Sequence, residues 1–261
     1  MRILHLQGPS SIQGENMFGL SPLGWTLAAV SALLIGFNKT GIAGTGPIIV
    51  VLMASIFPAK ESVGIVLPLL IFADIFAILF YRRHAQWKVL LRLFPFAVPG
   101  VLAGFFFMHR LESIQLKPII GGLVLGLIVI NFFLRWKKVD MGRYGLFFSG
   151  FMGMLVGFTS MIANAAGPIM TIYLLSMGAE KKEFIGNRAW FFAVINLFKL
   201  PFSLGLGLIT LRSLTFDITL FPAIITGALI GVFLVKVIPQ KVFNIIVEVL
   251  AAGASINLLL S

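Results

Sequence analysis

The chain has 261 residues, of which 59% are hydrophobic and 11% charged, with no cysteine and a net charge of +11. A soluble domain carries roughly 45–50% apolar and about 25% charged residues, so a single globular core cannot absorb this apolar excess. The absence of cysteine excludes disulfides, thiol catalysis and cysteine-ligated metals, and because Lys and Arg cluster in short stretches between apolar runs, the positive charge reads as membrane topology and not as nucleic-acid binding.

Residues 1–20 form a polar lead-in. Arg2 and His5 occur there without a continuous apolar core, which is not the pattern of a signal peptide. Five apolar elements follow at 21–37, 47–57, 63–81, 89–108 and 118–135. The second is short. About eleven helical residues span about 16 Å, roughly half of the hydrocarbon core. Pro47 stands at its first helical position, where a missing N–H costs nothing. A basic stretch, 137–144, is read as a cytoplasmic linker. Five more elements follow at 145–162, 168–177, 187–209, 217–235 and 242–260, and the short one again begins with a proline, Pro168. Trp87, Trp136 and Tyr144 flank loops as interface anchors, and Pro201 signals an irregularity in its helix.

The two sets are copies of one pattern. Gly36-Phe37 and Gly46-Pro47-Ile48 recur 121 residues later as Gly157-Phe158 and Gly167-Pro168-Ile169. At an offset of 122, Gly64 matches Gly186 and Asp74 matches Asn196. Charge tests the orientation of the copies. If the first two elements of each half enter and leave on the same side, the loop cations sort thirteen against five; Arg82, Arg83, Lys88, Arg92 and Arg188 fall on the rich side, and Arg2, Lys60, Arg110, Lys117 and Arg212 make up the poor one. If those elements form one broken span, the split is ten against eight. The positive-inside rule favours the first arrangement, with both termini outside. The fold class expected is an all-α polytopic membrane protein of two inverted-topology repeats, 21–136 and 145–261. Their short broken or re-entrant helices meet near the midplane.

Inverted repeats with broken helices hold substrates at those breaks. The candidate binding residues are Asn38, Lys39, Thr40, Gly41, Gly44, Thr45 and Gly46 in the first break. In the second they are Thr159, Ser160, Asn164 and Gly167, joined by Asn196 and Lys199. Small residues admit a ligand close to the backbone. Two converging helix N-termini with unpaired N–H groups favour an anion, and Lys39 adds a full charge. The competing reading is that Lys39 offsets the negative end of its own helix. Asp74 and Glu248 are ionisable groups inside apolar runs, candidates for proton coupling or for an internal ion pair such as Asp74 with Lys39 or Lys199. An enzyme is not supported: His5, His84 and His109 stand at element ends, without serine or metal-ligand spacing. No cofactor or metal is expected.

The segments Gly36-Phe37-Asn38-Lys39-Thr40-Gly41 through Gly46-Pro47, Pro58-Ala59-Lys60-Glu61 through Tyr81-Arg82-Arg83-His84-Ala85, and Gly157 through Pro168 resemble the TauE/SafE sulfite-exporter-like family. So do Ala189-Trp190-Phe191-Phe192, Asn196 and Lys199-Leu200-Pro201. The resemblance implies an inner-membrane permease that exports sulfite, a sulfonate or a related organic anion. An anion channel and a proton-coupled uptake transporter stand as alternatives. Where many members carry a run of glycines, this chain has Ala43-Gly44-Thr45-Gly46 and Asn164-Ala165-Ala166-Gly167. The expected partners are a small anion and the lipid bilayer, not nucleic acid; a homodimer is left open.

Overall fold

Apolar segments in a bilayer must satisfy their backbone groups internally, and helices do so within one segment. In the computed structural model, which describes residues 19–41, 45–137, 145–179 and 181–234, no strand occurs among the described residues. The first half of the chain supplies α1 (Pro22–Thr40), α2 (Gly46–Ile56), α3 (Ala59–Tyr81), α4 (Trp87–Arg110) and α5 (Ser113–Lys137). The second supplies α6 (Gly145–Ala163), α7 (Gly167–Ser176), α8 (Lys181–Gly205) and α9 (Leu211–Leu234). The lead-in up to residue 18, Gly44, most of the linker, and the last expected element with Glu248 lie outside the described residues.

Local chemistry explains the ends. Pro22 opens α1, and the Ser21 hydroxyl accepts a hydrogen bond from the Gly24 N–H at 3.1 Å. Asn164 closes α6 in the left-handed region, with φ 54°, where asparagine is the side chain most readily tolerated after glycine. The Ala165 N–H then reaches back to the Thr159 carbonyl at 3.4 Å. Helices α3, α4, α6 and α9 are long and apolar enough to cross a membrane. Their outer faces carry large apolar side chains that water would not tolerate in such number, such as Phe147 at 84%, Leu211 at 84% and Phe233 at 69% exposure. The molecule is an all-helical polytopic membrane protein.

The tightest contacts run between the sequence halves. Helix α1 lies along α9, and α4 lies along α6. Glycines permit both approaches: a Cβ on Gly36 would collide with the Ile224 carbonyl, and one on Gly157 with the Ala97 carbonyl. From the opposite side, a Cβ on Gly227 would strike the Leu33 carbonyl and one on Gly100 the Met154 carbonyl. These collisions correspond position by position. Gly36 and Gly157 are 121 apart, as are Leu33 and Met154, while Ala97 and Ile224 are 127 apart. The same offset of 127 relates Pro95, Gly100 and Gly104 in α4 to Pro222, Gly227 and Gly231 in α9, a correspondence that the sequence analysis overlooked. Exchanging the halves turns the α1–α9 seam into the α6–α4 seam. Helices α3 and α8, which carry the offset-related Asp74 and Asn196, also pack against each other.

Candidate functional site

The two short helices, α2 and α7, begin at one cleft. The Thr45 side chain does not cap α2; its hydroxyl donates instead to the Leu34 carbonyl at 3.3 Å. The first-turn N–H groups of α2 therefore lack a side-chain acceptor, which suits an anion. Gly46 at the start of α2 and Gly167 at the start of α7 line this cleft. Its polar wall consists of Asn38, Lys39, Ser160, Asn164, Arg188 and Asn196. The apolar wall is formed by Ile49, Val50, Val66, Leu70 and Phe192.

Helix α1 runs on to Thr40, so Asn38 and Lys39 stand in its last turn and not in an unwound break, as the sequence analysis had them. Thr159 and Ser160 are likewise helical, in α6. From that turn Lys39 Nζ donates to Asp74 Oδ1 at 2.5 Å, and Asn196 Nδ2 donates to Asp74 Oδ2 at 2.7 Å. Asp74 and Asn196, which the offset of 122 residues pairs in the sequence, touch here. Both oxygens of the carboxylate are engaged and the residue is 2% exposed. Of the two ion pairs weighed for Asp74, the one with Lys39 forms. Lys199, 1% exposed, belongs to the second half of the site: its Nζ donates to the Ser160 carbonyl at 3.0 Å, the Ser160 hydroxyl at 2.9 Å and Asn164 Oδ1 at 2.8 Å. Asn164 is held in turn by donating Nδ2 to the Val63 carbonyl at 3.0 Å.

Arg188 was missed. The charge count treats it as a loop cation, but α8 begins at Lys181 and carries Arg188 into the cleft wall, where it is 7% exposed. Its Nη2 donates to Asn38 Oδ1 at 3.1 Å. The signal was in the spacing: Arg188, Phe192, Asn196 and Lys199 fall at steps of four, four and three, which is one face of a helix. The Phe192 ring lies 4.9 Å from Lys39 Nζ and 5.9 Å from the Arg188 guanidinium carbon, so one aromatic face serves two cations.

Several other candidates point elsewhere. Thr40 donates to the Ala228 carbonyl at 2.7 Å, and Gly41 packs against Gly231, so both serve the α1–α9 seam. Thr159 donates to the Leu155 carbonyl of its own helix at 2.7 Å. Pro47 and Pro168 are the second residues of α2 and α7, where they start the helices without lining the cleft. Gly44 and Glu248 lie outside the described residues.

A cleft bounded by two helix starts, with cations and amides and one engaged acid, is a place for a small polar solute inside a membrane protein. The family description matching this sequence is Sulfite exporter TauE/SafE, over residues 28–258. The chain belongs to the sulfite exporter TauE/SafE family. It is thus a multi-pass membrane transporter, and the cleft with its two short helices falls inside the matched span. No curated protein and no solved structure matches it significantly.

Proposed function

We propose that this TauE/SafE member carries a small anion, in the direction of export, by alternating access. Sulfite, a sulfonate or a related organic anion is the substrate. The observation that carries this reading is the cleft itself, where the starts of α2 and α7 meet Lys39 and Arg188 at one point. Backbone N–H groups and two cations there can replace the hydration shell of an oxyanion. The two halves are inverted repeats in the inner membrane with both termini outside. The exchange-related seams support a rocking of one half against the other about the α3–α8 contact. Asp74, with both oxygens engaged, acts in this scheme as the counter-charge of Lys39 rather than as a proton carrier.

A membrane potential, negative inside, is worth about 2.3 kcal/mol per charge per 100 mV, and so drives a monovalent anion outward roughly 50-fold at equilibrium. Export needs no coupled ion. Purified protein in liposomes loaded with labelled sulfite should release it faster when the loaded side is made negative. Release that ignores the imposed potential overturns uncoupled anion export. Saturable exchange of internal for external anion separates a carrier from a channel.

A further inference from the structure

Among the described residues, the charges around the cleft do not balance. Lys39 and Asp74 cancel as an ion pair, and Asp74 is the acid hydrogen-bonded into this cluster among the described residues. Arg188 and Lys199 remain. Lys199 directs its Nζ at three oxygen atoms placed as acceptors, two on Ser160 and one on Asn164, which is the arrangement of an ammonium using all three of its N–H donors. Arg188 is charged at any physiological pH. Its Nη2 is spoken for by Asn38, while its Nε–H is buried with no partner among the described residues. Buried donors are almost always paired, so an orphan on a charged side chain in a cleft wall marks an acceptor that arrives from outside.

We propose that the site selects an anion carrying two negative charges, and that Arg188, through its free Nε–H, is the residue that reads the second of them. A monoanion leaves one buried cation uncompensated, which a low-dielectric interior penalises. A dianion closes the balance. The planar guanidinium also favours a centre bearing two or more oxygens over a monatomic ion. This inference rests on the anion-transport reading of the cleft and adds the charge state of the cargo to it.

Sulfate and methanesulfonate are both tetrahedral and similar in size, and they differ by one charge. Equilibrium dialysis of the purified full-length protein with labelled sulfate, competed by methanesulfonate, measures the preference. Sulfate should bind at least about tenfold more tightly, the discrimination one hydrogen bond to a charged group provides. In Arg188→Gln the ratio should fall towards one, and in Arg188→Lys, which keeps the charge but lacks the Nε–H, it should recover only in part. Equal or reversed affinities in the unmodified protein overturn the inference and leave anion transport standing. An unchanged ratio in an Arg188→Gln protein that still melts cooperatively also overturns it. Binding of neither anion removes both this inference and the anion reading of the cleft. If Arg188→Gln does not fold, the ratio in the unmodified protein decides by itself.

Discussion

Asp74 holds two donors of different kinds, and the cost of losing each differs accordingly. Lys39→Met leaves a carboxylate buried in the cluster with its charge uncompensated, which should lower stability by about 3–5 kcal/mol. Asn196→Ala removes one hydrogen bond to that carboxylate and should cost about 1.5–3 kcal/mol. Adding Asp74→Leu to Lys39→Met removes the stranded charge and should recover most of the loss. Thermal melts of the detergent-purified variants check this order; a Lys39→Met protein as stable as its parent would show that the pair contributes nothing. The sequence made Lys39, Asp74, Asn196 and Lys199 visible because polar groups stand out in apolar runs. It hid Arg188 because the stretch Lys181-Lys182-Glu183 before it reads as a loop, although the helix has already begun there. Threonines were over-read for a physical reason. In a helix, Thr159 turns its hydroxyl to a carbonyl one turn back, and Thr40 reaches across to the neighbouring helix, so neither hydroxyl is free for a ligand.

Among the elements, the helix inventory was legible from apolar run length, and the short α2 and α7 from their prolines. Their boundaries were not. Helices α1 and α8 extend beyond their apolar cores because a helix continues through polar residues as long as its backbone bonds close. Helix α8 also runs through Pro201 to Gly205, where the proline was read as an irregularity. What the runs could not reveal was pairing, since a glycine in a seam and one that touches nothing look alike in the sequence. Gly157 and Gly167 show the difference. An added Cβ at Gly157 meets the backbone of α4, whereas at Gly167 it meets nothing within 4 Å. Gly157→Ala should therefore destabilise by about 1–3 kcal/mol through overpacking. Gly167→Ala should stay within about 0.5 kcal/mol of the parent. Unfolding of both proteins in a denaturant series reads the contrast, and equal losses would argue against the close α4–α6 seam.

For the whole molecule, the orientation of the halves can be tested because the chain has no cysteine of its own. Arg83→Cys lies in the turn between α3 and α4, and Arg212→Cys at the start of α9. With inverted halves and a basic cytoplasmic face, a membrane-impermeant maleimide applied to intact cells should label Arg212→Cys and spare Arg83→Cys until the membrane is opened. Labelling of both, or of Arg83→Cys alone, would reverse or abolish the assigned topology. The correspondence of the two seams has an energetic consequence for such a machine. If one half takes the role of the other, as the proposed alternating access requires, contacts such as Gly36 on Ile224 and Gly157 on Ala97 would exchange places, and their free energies would offset one another between the two conformations. A resting preference would then come from positions where the copies differ, the charged ones above all. Lys39 stands opposite Ser160 in the repeat register, and Asp74 opposite Asn196. In such a machine a duplicated scaffold would supply the nearly level landscape, and mismatched pairs of this kind would decide which way it tilts.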